Sequence, residues 1–298
     1  MKRLWIAAVL LLTLALACSN AQEAEAPDSP APTDAPVTQS PPDTPEPTEE
    51  AVVIETPEPT EEATLPPAPT PEPTPTPAPP LAGIRIGIDP GHQAEPDYDT
   101  EPIAPDSEEQ APKCVAGTRG IVSDVYEHEV NLRVAVKLKK LLEAQGAKVF
   151  LSRGDREQIG NMDRAEFFNA MQVDLAVELH CNGSDDPDAR GAFMIVPAVN
   201  RTQFYSENVR AATEILSHYC AATGLSSRKH NGITYRSDRT VFNWCTRPIV
   251  CIEMGYLSNE TEDLLLTNDK FQDKMSFGIC EGIIAYFRPE SNPEGGTP

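Results

Sequence analysis

The pattern of apolar and polar positions changes near residue 83. Before it, large apolar side chains are sparse beyond the extreme N-terminus; after it, short apolar runs alternate with segments of helical periodicity. Five short apolar runs predict strands: 84–89, 147–153, 173–180, 191–198 and 247–255. Five amphipathic segments predict helices: 127–146, 161–172, 206–224, 259–267 and 271–287. Strands separated by helices predict an α/β fold with a mixed or parallel sheet covered on both faces.

The segment between the first strand and the first helix does not follow this alternation. Residues 94–119 show no periodicity and are rich in Pro, Asp and Glu. An irregular loop of this length inside a compact domain is usually functional or disordered. The segment leaves the strand end that carries His92, so we expect an irregular loop beside that histidine.

The first 18 residues have the layout of a secretory signal. Lys2 and Arg3 precede an apolar run, which is shorter than the ~20 residues that span a bilayer. The run ends in "LALAC", which resembles a bacterial lipobox and predicts that Cys18 becomes a lipidated N-terminus. Ordinary cleavage after Ala17 and an uncleaved membrane anchor are the alternatives. Both kinds of cleavage predict a mature protein outside the cytoplasm.

Residues 19–82 predict a disordered linker. They are mostly Pro, Ala, Thr and Glu, with few large apolar side chains, and such a composition buries too little apolar surface to offset the entropy of ordering. The prolines favour an extended spacer with a rise of ~3.1 Å per residue. We expect one folded domain over 83–288 and a flexible tail over 289–298.

Charge and cysteine content limit the partners and cofactors. The net charge of −22 and the pI of about 4.5 argue against nucleic acid as a partner. No CxxC pair occurs, which argues against a thiolate zinc knuckle. Six cysteines remain besides Cys18: Cys114, Cys181, Cys220, Cys245, Cys251 and Cys280. An exported chain permits disulfides, but the spacing selects no pairing, and buried free thiols are the alternative.

Three predicted strands end beside a residue that can bind a metal or move a proton, namely His92, His180 and Glu253. Glu127 begins the first long helix. Ligands of open α/β sheets bind outside the carboxyl ends of the strands, and two histidines with a carboxylate suit a catalytic zinc ion. A further carboxylate then takes the proton of water. The spacings are too long for a local motif, so turn, core and helix-dipole roles stay open.

Four stretches, taken in order, carry a family resemblance: "IGIDPGHQ", "GTRGIVSDVYEHEVNLRVAVKLKKLLEAQGAKVFLSR", "MDRAEFFNAMQVDLAVELHCNGS" and "NWCTRPIVCIEMGYLSNETEDLLL". Together they resemble the zinc-dependent N-acetylmuramoyl-L-alanine amidases of type 3, over roughly 84–287. The resemblance implies a mostly parallel twisted sheet of about six strands with helices on both faces. It also implies hydrolysis of the amide that joins the lactyl group of N-acetylmuramic acid to L-alanine in peptidoglycan.

The resemblance also implies a role for each candidate residue. His92, Glu127 and His180 match the zinc ligands of the family, and Glu253 matches its catalytic glutamate. Glu129 is the alternative to Glu127 as the second ligand. All four chemical types of the family site are present.

Arg164 and Asn182 are further candidates, as a structural support and as a substrate contact respectively. The third motif departs from the family, since it reads "VELHCNG" where members commonly have Ser-Ile-His-Ala-Asn. Alternation along the strand predicts that Cys181 points away from His180, so the ligand survives this change. The length of the 94–119 segment leaves the shape of the groove open.

The expected partners are peptidoglycan as substrate, Zn²⁺ as cofactor and a membrane through the N-terminal lipid, with the protein acting as an extracytoplasmic monomer. Two rival functions stay open. The first is another exported zinc hydrolase that cuts peptidoglycan stem peptides, and product analysis on muropeptides would distinguish it. The second is a non-catalytic lipoprotein that only binds wall glycan, which a chelator test would decide.

Overall fold

A computed structural model of the chain describes residues 78–155, 157–227 and 230–288. The predicted signal segment with Cys18, the predicted linker up to residue 77 and the predicted tail lie outside these residues. No helix in the described ranges is both long enough and apolar enough to cross a bilayer.

Eight strands and six α-helices occur in the described residues. The strands are β1 Arg85–Pro90, β2 Asp97–Pro102, β3 Gln110–Cys114, β4 Lys148–Leu151, β5 Leu175–Asn182, β6 Phe193–Pro197, β7 Ile233–Arg236 and β8 Ile249–Tyr256. The helices are α1 Glu127–Ala144, α2 Asn161–Met171, α3 Tyr205–Thr223, α4 Thr240–Trp244, α5 Glu260–Leu266 and α6 Asp269–Phe287. Each predicted strand and helix corresponds to one of these. The sequence pattern missed β7 and α4, which have four and five residues and are too short to show a period.

Six of the strands form one sheet in the order β4–β1–β5–β8–β6–β7. Neighbouring strands are parallel except β6 and β8, which are antiparallel. This arrangement confirms the predicted α/β fold with a mostly parallel sheet. Strands β5 and β8 lie at the centre and are buried along almost their whole length, which explains their nearly continuous apolar sequences.

Helices cover both faces of the sheet, as predicted. On one face, Val177, Leu179 and Cys181 of β5 join a core shared with α1, α3 and α6. On the other face, Ala176 joins a core shared with α2 and α4. Cys181 therefore points away from His180, as strand alternation predicted, and alternation turns Glu178 and His180 toward the α2 and α4 face.

The segment 94–119 is not the irregular loop that the sequence predicted. Strands β2 and β3 pair antiparallel and form a separate two-stranded sheet. Helices hold this hairpin, because Trp244 Nε1 donates to the Pro102 carbonyl at 2.8 Å and the Met162 amide donates to Glu101 Oε1 at 3.0 Å. Tertiary hydrogen bonds define these two strands, and therefore apolar alternation did not reveal them.

The packed domain begins before the predicted boundary at residue 83. Leu81 is fully buried in the larger core, and its amide donates to the Gln145 carbonyl at 2.9 Å. The Pro80 carbonyl accepts a hydrogen bond from Arg288 Nε at 2.8 Å. A single leucine after a proline-rich run gives no periodic signal, so the pattern placed the boundary slightly too late.

The six cysteines whose pairing was left open all carry free thiols. Cys114, Cys181, Cys251 and Cys280 are buried, and burial raises the pKa of each thiol. Thiols of this kind stay protonated near neutral pH and pack as small apolar groups.

Candidate active site

His92 lies two residues after the end of β1, where the chain turns away from the sheet. Its φ of 59° lies in the left-handed region, which few non-glycine residues adopt. The preceding residue is Gly91, and a Cβ at that position would lie only 2.2 Å from His180 Nε2. The turn therefore brings the two imidazoles together, with ring centroids 4.8 Å apart.

Arg164 supports this turn through hydrogen bonds to Asp89 and to the backbone of the turn. Its buried guanidinium donates to Asp89 Oδ1 at 2.6 Å and to the carbonyls of Pro90 and His92 at 3.2 and 3.1 Å. Burial by itself lowers the pKa of Arg164, but the charge and hydrogen bond of Asp89, together with the nearby Cys114 and Glu178, outweigh it and raise that pKa. The guanidinium thus remains charged, and its contacts are those of a structural support.

Glu127 lies in the first turn of α1 and presents its carboxylate to both histidines. Oε1 accepts from the Cys181 amide at 3.0 Å, and Oε2 accepts from the Thr118 amide at 2.8 Å. Burial alone would raise the pKa of Glu127, but hydrogen bonds and charge from His180 and His92 hold it well below its usual range. The carboxylate is therefore ionised and fixed in orientation.

The two histidines approach the same carboxylate oxygen from different strands. His92 Nε2 lies 3.3 Å and His180 Nδ1 lies 3.1 Å from Glu127 Oε1. Burial, with the nearby charges of His92 and Arg239, lowers the pKa of His180 to about 4. His92 Nδ1 lies 2.8 Å from the Val115 carbonyl. A carbonyl can only accept, so Nδ1 carries a proton, and Nε2 is the nitrogen that faces Glu127 and can bind a metal once it is unprotonated.

These side chains suit a zinc ion. One ligand atom from each of His92, Glu127 and His180 lies within 4.8 Å of the other two. Two imidazole nitrogens and one carboxylate oxygen are a donor set of catalytic zinc sites, which leave a further position open. Backbone hydrogen bonds to His92 and Glu127 supply the outer contacts that orient metal ligands.

Glu253 lies beside this donor set on the neighbouring strand. It pairs in register with His180 across β5 and β8, and it is 8% exposed. Its Oε2 has no hydrogen-bond partner among the described residues. Burial, reinforced by the charge of Glu127, raises the pKa of Glu253 to about 7. A carboxylate of this basicity can accept a proton near neutral pH.

Residues 86–285 match the profile of the N-acetylmuramoyl-L-alanine amidase family Amidase_3. The chain belongs to this amidase family. The match spans the three residues of the donor set and Glu253. It confirms the family that the four sequence stretches suggested, and with it the predicted class of enzyme.

Individual relatives agree with the family match. The chain is 25% identical to an N-acetylmuramoyl-L-alanine amidase of Mycobacterium tuberculosis, over 69% of this chain and 87% of that protein. It is 26% identical to the germination-specific N-acetylmuramoyl-L-alanine amidase of Bacillus subtilis, over 72% of this chain and 84% of that protein.

Solved structures show the same architecture. The catalytic domain of CwlV, an N-acetylmuramoyl-L-alanine amidase from Bacillus (Paenibacillus) polymyxa var. colistinus, is 27% identical with a TM-score of 0.55, over 68% of this chain and 97% of that one. The amidase Ami1 of Mycobacterium smegmatis is 23% identical with a TM-score of 0.64, over 70% of this chain and 99% of that one. These likenesses confirm the predicted fold of the amidase domain.

The amidase groove is a cavity of about 370 Å³ at the ends of the central strands. The β2–β3 hairpin contributes Ala111 and Pro112 to its lining, and the start of α4 contributes Arg239 and Thr240. Asn182, at the end of β5, also lines the cavity. The structure thus brings Asn182 within the groove and gives the hairpin a place in its wall.

Gly117 lets the chain pass close behind the donor set. Its φ is 78°, and a Cβ there would lie 2.8 Å from both Glu127 Oε2 and His92 Cδ2. The same short segment supplies the Val115 carbonyl to His92 and the Thr118 amide to Glu127. One irregular segment therefore orients two of the three candidate ligands.

Glu129 and His128, which follow Glu127 along the chain, do not line the groove. Glu129 accepts from Arg133 Nη2 at 2.8 Å in a partly exposed pair one helical turn apart. The ring of His128 stacks on Tyr126, with centroids 5.5 Å apart. Only Glu127 of this group lines the groove within the described residues.

Glu178 and Arg239 are among the charged residues of the groove that sequence reasoning missed. Glu178 precedes His180 by two positions in a strand, so strand alternation could have placed both on one face. Arg239 follows β7 in a segment without periodicity, and no local signal connects it to β5. Only the fold shows that Arg239 Nη2 lies 3.0 Å from Glu178 Oε2.

Proposed function

We propose that this chain is a zinc-dependent N-acetylmuramoyl-L-alanine amidase, with His92, Glu127 and His180 as zinc ligands and Glu253 as general base. The observation that supports it most is the convergence of three metal-binding atoms beside a buried carboxylate oxygen that has no partner among the described residues. Family membership supports the same reaction.

The chemistry divides between the metal and the chain. A Zn²⁺ ion held by the three ligands supplies a Lewis acid for the scissile carbonyl and lowers the pKa of water. Glu253 takes a proton from the attacking water and delivers one to the nitrogen of L-alanine as the carbon–nitrogen bond breaks. The products are a lactyl carboxylate on the glycan and a peptide with a free L-alanine amine.

The same proposal includes the parts of the chain outside the described residues. Residues 1–18 direct export, Cys18 carries the lipid, and residues 19–77 connect the membrane to a monomeric amidase domain that acts on the cell wall. The proline-rich composition suits a spacer between a membrane and the wall. Replacing Cys18 with Ala should move the protein from the membrane fraction to the soluble fraction. Retention of C18A in the membrane would contradict lipidation at this residue.

Digestion of purified peptidoglycan tests the reaction. The protein is incubated with the polymer with and without a zinc chelator, and the products are separated and weighed by mass spectrometry. We expect glycans that end in free lactyl groups and peptides that begin with L-alanine, formed only without chelator and restored by added Zn²⁺.

Two results would contradict this function. Peptides cut at internal bonds, with the lactyl amide intact, would favour the stem-peptide hydrolase. Binding of the polymer without any product would favour the non-catalytic wall protein. The Glu253→Gln variant is the matched control, because it removes the base and leaves all three proposed ligands in place.

A further inference from the structure

Two arginine–carboxylate pairs lie beneath the groove, and they use their donors differently. Arg164 and Asp89 are both almost completely buried, and Arg164 spends its remaining N–H groups on backbone carbonyls and on Gln93 Oε1. The N–H donors of Arg164 are therefore all used within the protein. Arg239 pairs with Glu178, which is 0% exposed, while the Arg239 side chain is 22% exposed and lines the cavity.

Arg239 keeps donor capacity beyond its ion pair. Its Nη2 donates to Glu178 Oε2 at 3.0 Å and lies 3.4 Å from His180 Nε2. Its Nε is buried and has no hydrogen-bond partner in the part of the chain that the structure describes. A guanidinium has five N–H donors and no acceptor, and its two terminal nitrogens carry four of them. The bond to Glu178 uses one of these four, so the terminal nitrogens can bind a further oxygen atom without leaving Glu178.

The guanidinium of Arg239 lies against side chains that could also hold a metal cation. One ligand atom from each of Glu178, His180 and Cys251 lies within 4.8 Å of the others, a second group of converging donors. The guanidinium already contacts two of these three residues, at Glu178 and His180. Because arginine keeps its proton in proteins, the groove holds a permanent positive charge beside its proposed base.

We propose that Arg239 is a further catalytic residue of this reaction, and that its guanidinium donates a hydrogen bond to the scissile carbonyl oxygen as that oxygen gains negative charge. The inference rests on the proposed function. Glu178 holds the guanidinium in position, so that little reorganisation is needed during the reaction. A preorganised donor of this kind lowers the barrier because it binds the transition state more strongly than the substrate.

The electron movements are those of amide hydrolysis. The water oxygen bonds to the carbonyl carbon, its proton passes to Glu253, and the π electron pair of the carbonyl moves onto the oxygen that Arg239 binds. The π bond then forms again, the carbon–nitrogen bond breaks with its electron pair on nitrogen, and the proton from Glu253 completes the amine. Water is the only co-reactant.

The charges around Arg239 favour a carbonyl over an anionic group of the substrate. Asp238 and Glu253 also line the cavity, and a carboxylate bound to Arg239 would lie near both. A neutral amide avoids this repulsion, and its oxygen becomes negative only in the transition state. Arg239 should therefore affect turnover more than substrate affinity.

Steady-state kinetics of the zinc-loaded full-length protein on a synthetic N-acetylmuramoyl-L-alanyl peptide test the role of Arg239. In Arg239→Met, which keeps the length of the side chain without its charge, we expect kcat to fall about 100-fold and KM to change less than about threefold. Zinc content and melting temperature should match the wild type. In Arg239→Ala, added ethylguanidinium should recover part of kcat. The matched control is Arg133→Met, which removes a cation whose guanidinium pairs with Glu129 away from the groove.

Each other outcome has a definite meaning. An unchanged kcat in R239M, or a raised KM with unchanged kcat, would overturn the proposal, the second by making Arg239 an anchor for a substrate anion. Loss of zinc or of folding in R239M without rescue of R239A would make Arg239 a structural residue. If the wild type releases no L-alanine-ended peptide, the proposed function itself fails. If the wild type is active and E253Q is not, while R239M stays active, only the role of Arg239 fails.

Discussion

The two sides of the groove differ in how completely they use their polar atoms. On the donor side, which consists of His92, Glu127 and His180, neighbouring backbone groups orient His92 and Glu127, and Glu127 in turn contacts His180. Thr118 and Cys181 amides bind both oxygens of Glu127, and a backbone carbonyl binds His92. These side chains are held in position before any metal binds.

The acid side consists of Glu178, Glu253 and Arg239, and fewer of its polar atoms have hydrogen-bond partners. Within the described ranges, one polar atom of each has no hydrogen-bond partner, namely Glu178 Oε1, Glu253 Oε2 and Arg239 Nε. A buried polar atom without a partner costs about 1–3 kcal/mol. Such atoms are rare in folded proteins, and where they cluster they commonly mark a functional site.

This difference fits a donor side that positions a metal ion and an acid side that takes part in the reaction. The donor side needs fixed geometry, because a metal is held only by ligands at the right distances and angles. On the acid side, Glu253 needs a free lone pair and Arg239 a free donor, because these two groups must meet water and substrate during catalysis. Variants on the two sides should therefore fail in different measurements.

The largest expected effect is on the acid side, in Glu253→Gln. Glutamine cannot accept the proton of water, so kcat on peptidoglycan fragments should fall by about 1,000-fold or more, within the range for loss of a general base. Bound zinc, measured by elemental analysis, should remain at the wild-type ratio. The control is Glu129→Gln, whose carboxylate lies in a surface pair with Arg133. Full activity in E253Q would remove Glu253 from the mechanism.

The donor side should fail in metal binding instead. His92→Ala removes one imidazole ligand, and we expect zinc affinity to fall by more than about 100-fold, beyond the loss typical of an outer-shell residue. Competition with a chromogenic chelator measures it. His128→Ala is the control, since that ring stacks on Tyr126. Equal zinc affinities in the two variants would exclude His92 as a ligand.

The stability of the metal-free protein should depend on pH through Glu253, which lies on the acid side. Folding raises the pKa of Glu253 to about 7 from 4.5, so its contribution to stability is complete below pH 4.5 and is lost as the pH rises through 7. The loss is on the order of 3 kcal/mol. The side-chain amide introduced by E253Q does not titrate, and denaturant unfolding should therefore show this variant gaining stability relative to the wild type between pH 5 and pH 8. A constant difference would contradict the raised pKa.

The smallest effect is expected behind the donor side, at Gly117. Both Gly117 and Gly224 have positive φ, at 78° and 76°, but a Cβ at Gly224 meets nothing within 4 Å. Gly→Ala at each position should cost about 1 kcal/mol through the left-handed backbone, and G117A should cost more, because its Cβ would lie 2.8 Å from Glu127 Oε2. Only G117A should also lose zinc affinity, by about tenfold, because its methyl displaces Glu127 and His92. Equal zinc affinity in G117A and G224A would contradict this role.

Much of the fold could be predicted from the chain itself. The five apolar runs became five strands of the sheet. The signal is clearest in the central strands β5 and β8, which are buried on both faces and need apolar side chains almost throughout. The hairpin of β2 and β3 could not be predicted in this way. Its strands show no apolar alternation, and its hydrogen bonds to Trp244 and Met162 come from residues that lie far away in sequence.

The sequence by itself determined which strand ends carry histidines and carboxylates, and the ordered match of four stretches to one family. Only the tertiary structure decided how those ends meet: His92 with φ of 59° beside His180, and Arg239 against Glu178. The physical reason is distance along the chain. Periodicity reports the local environment of a strand or helix, whereas the ionisation and orientation of a buried side chain depend on partners that folding brings from elsewhere.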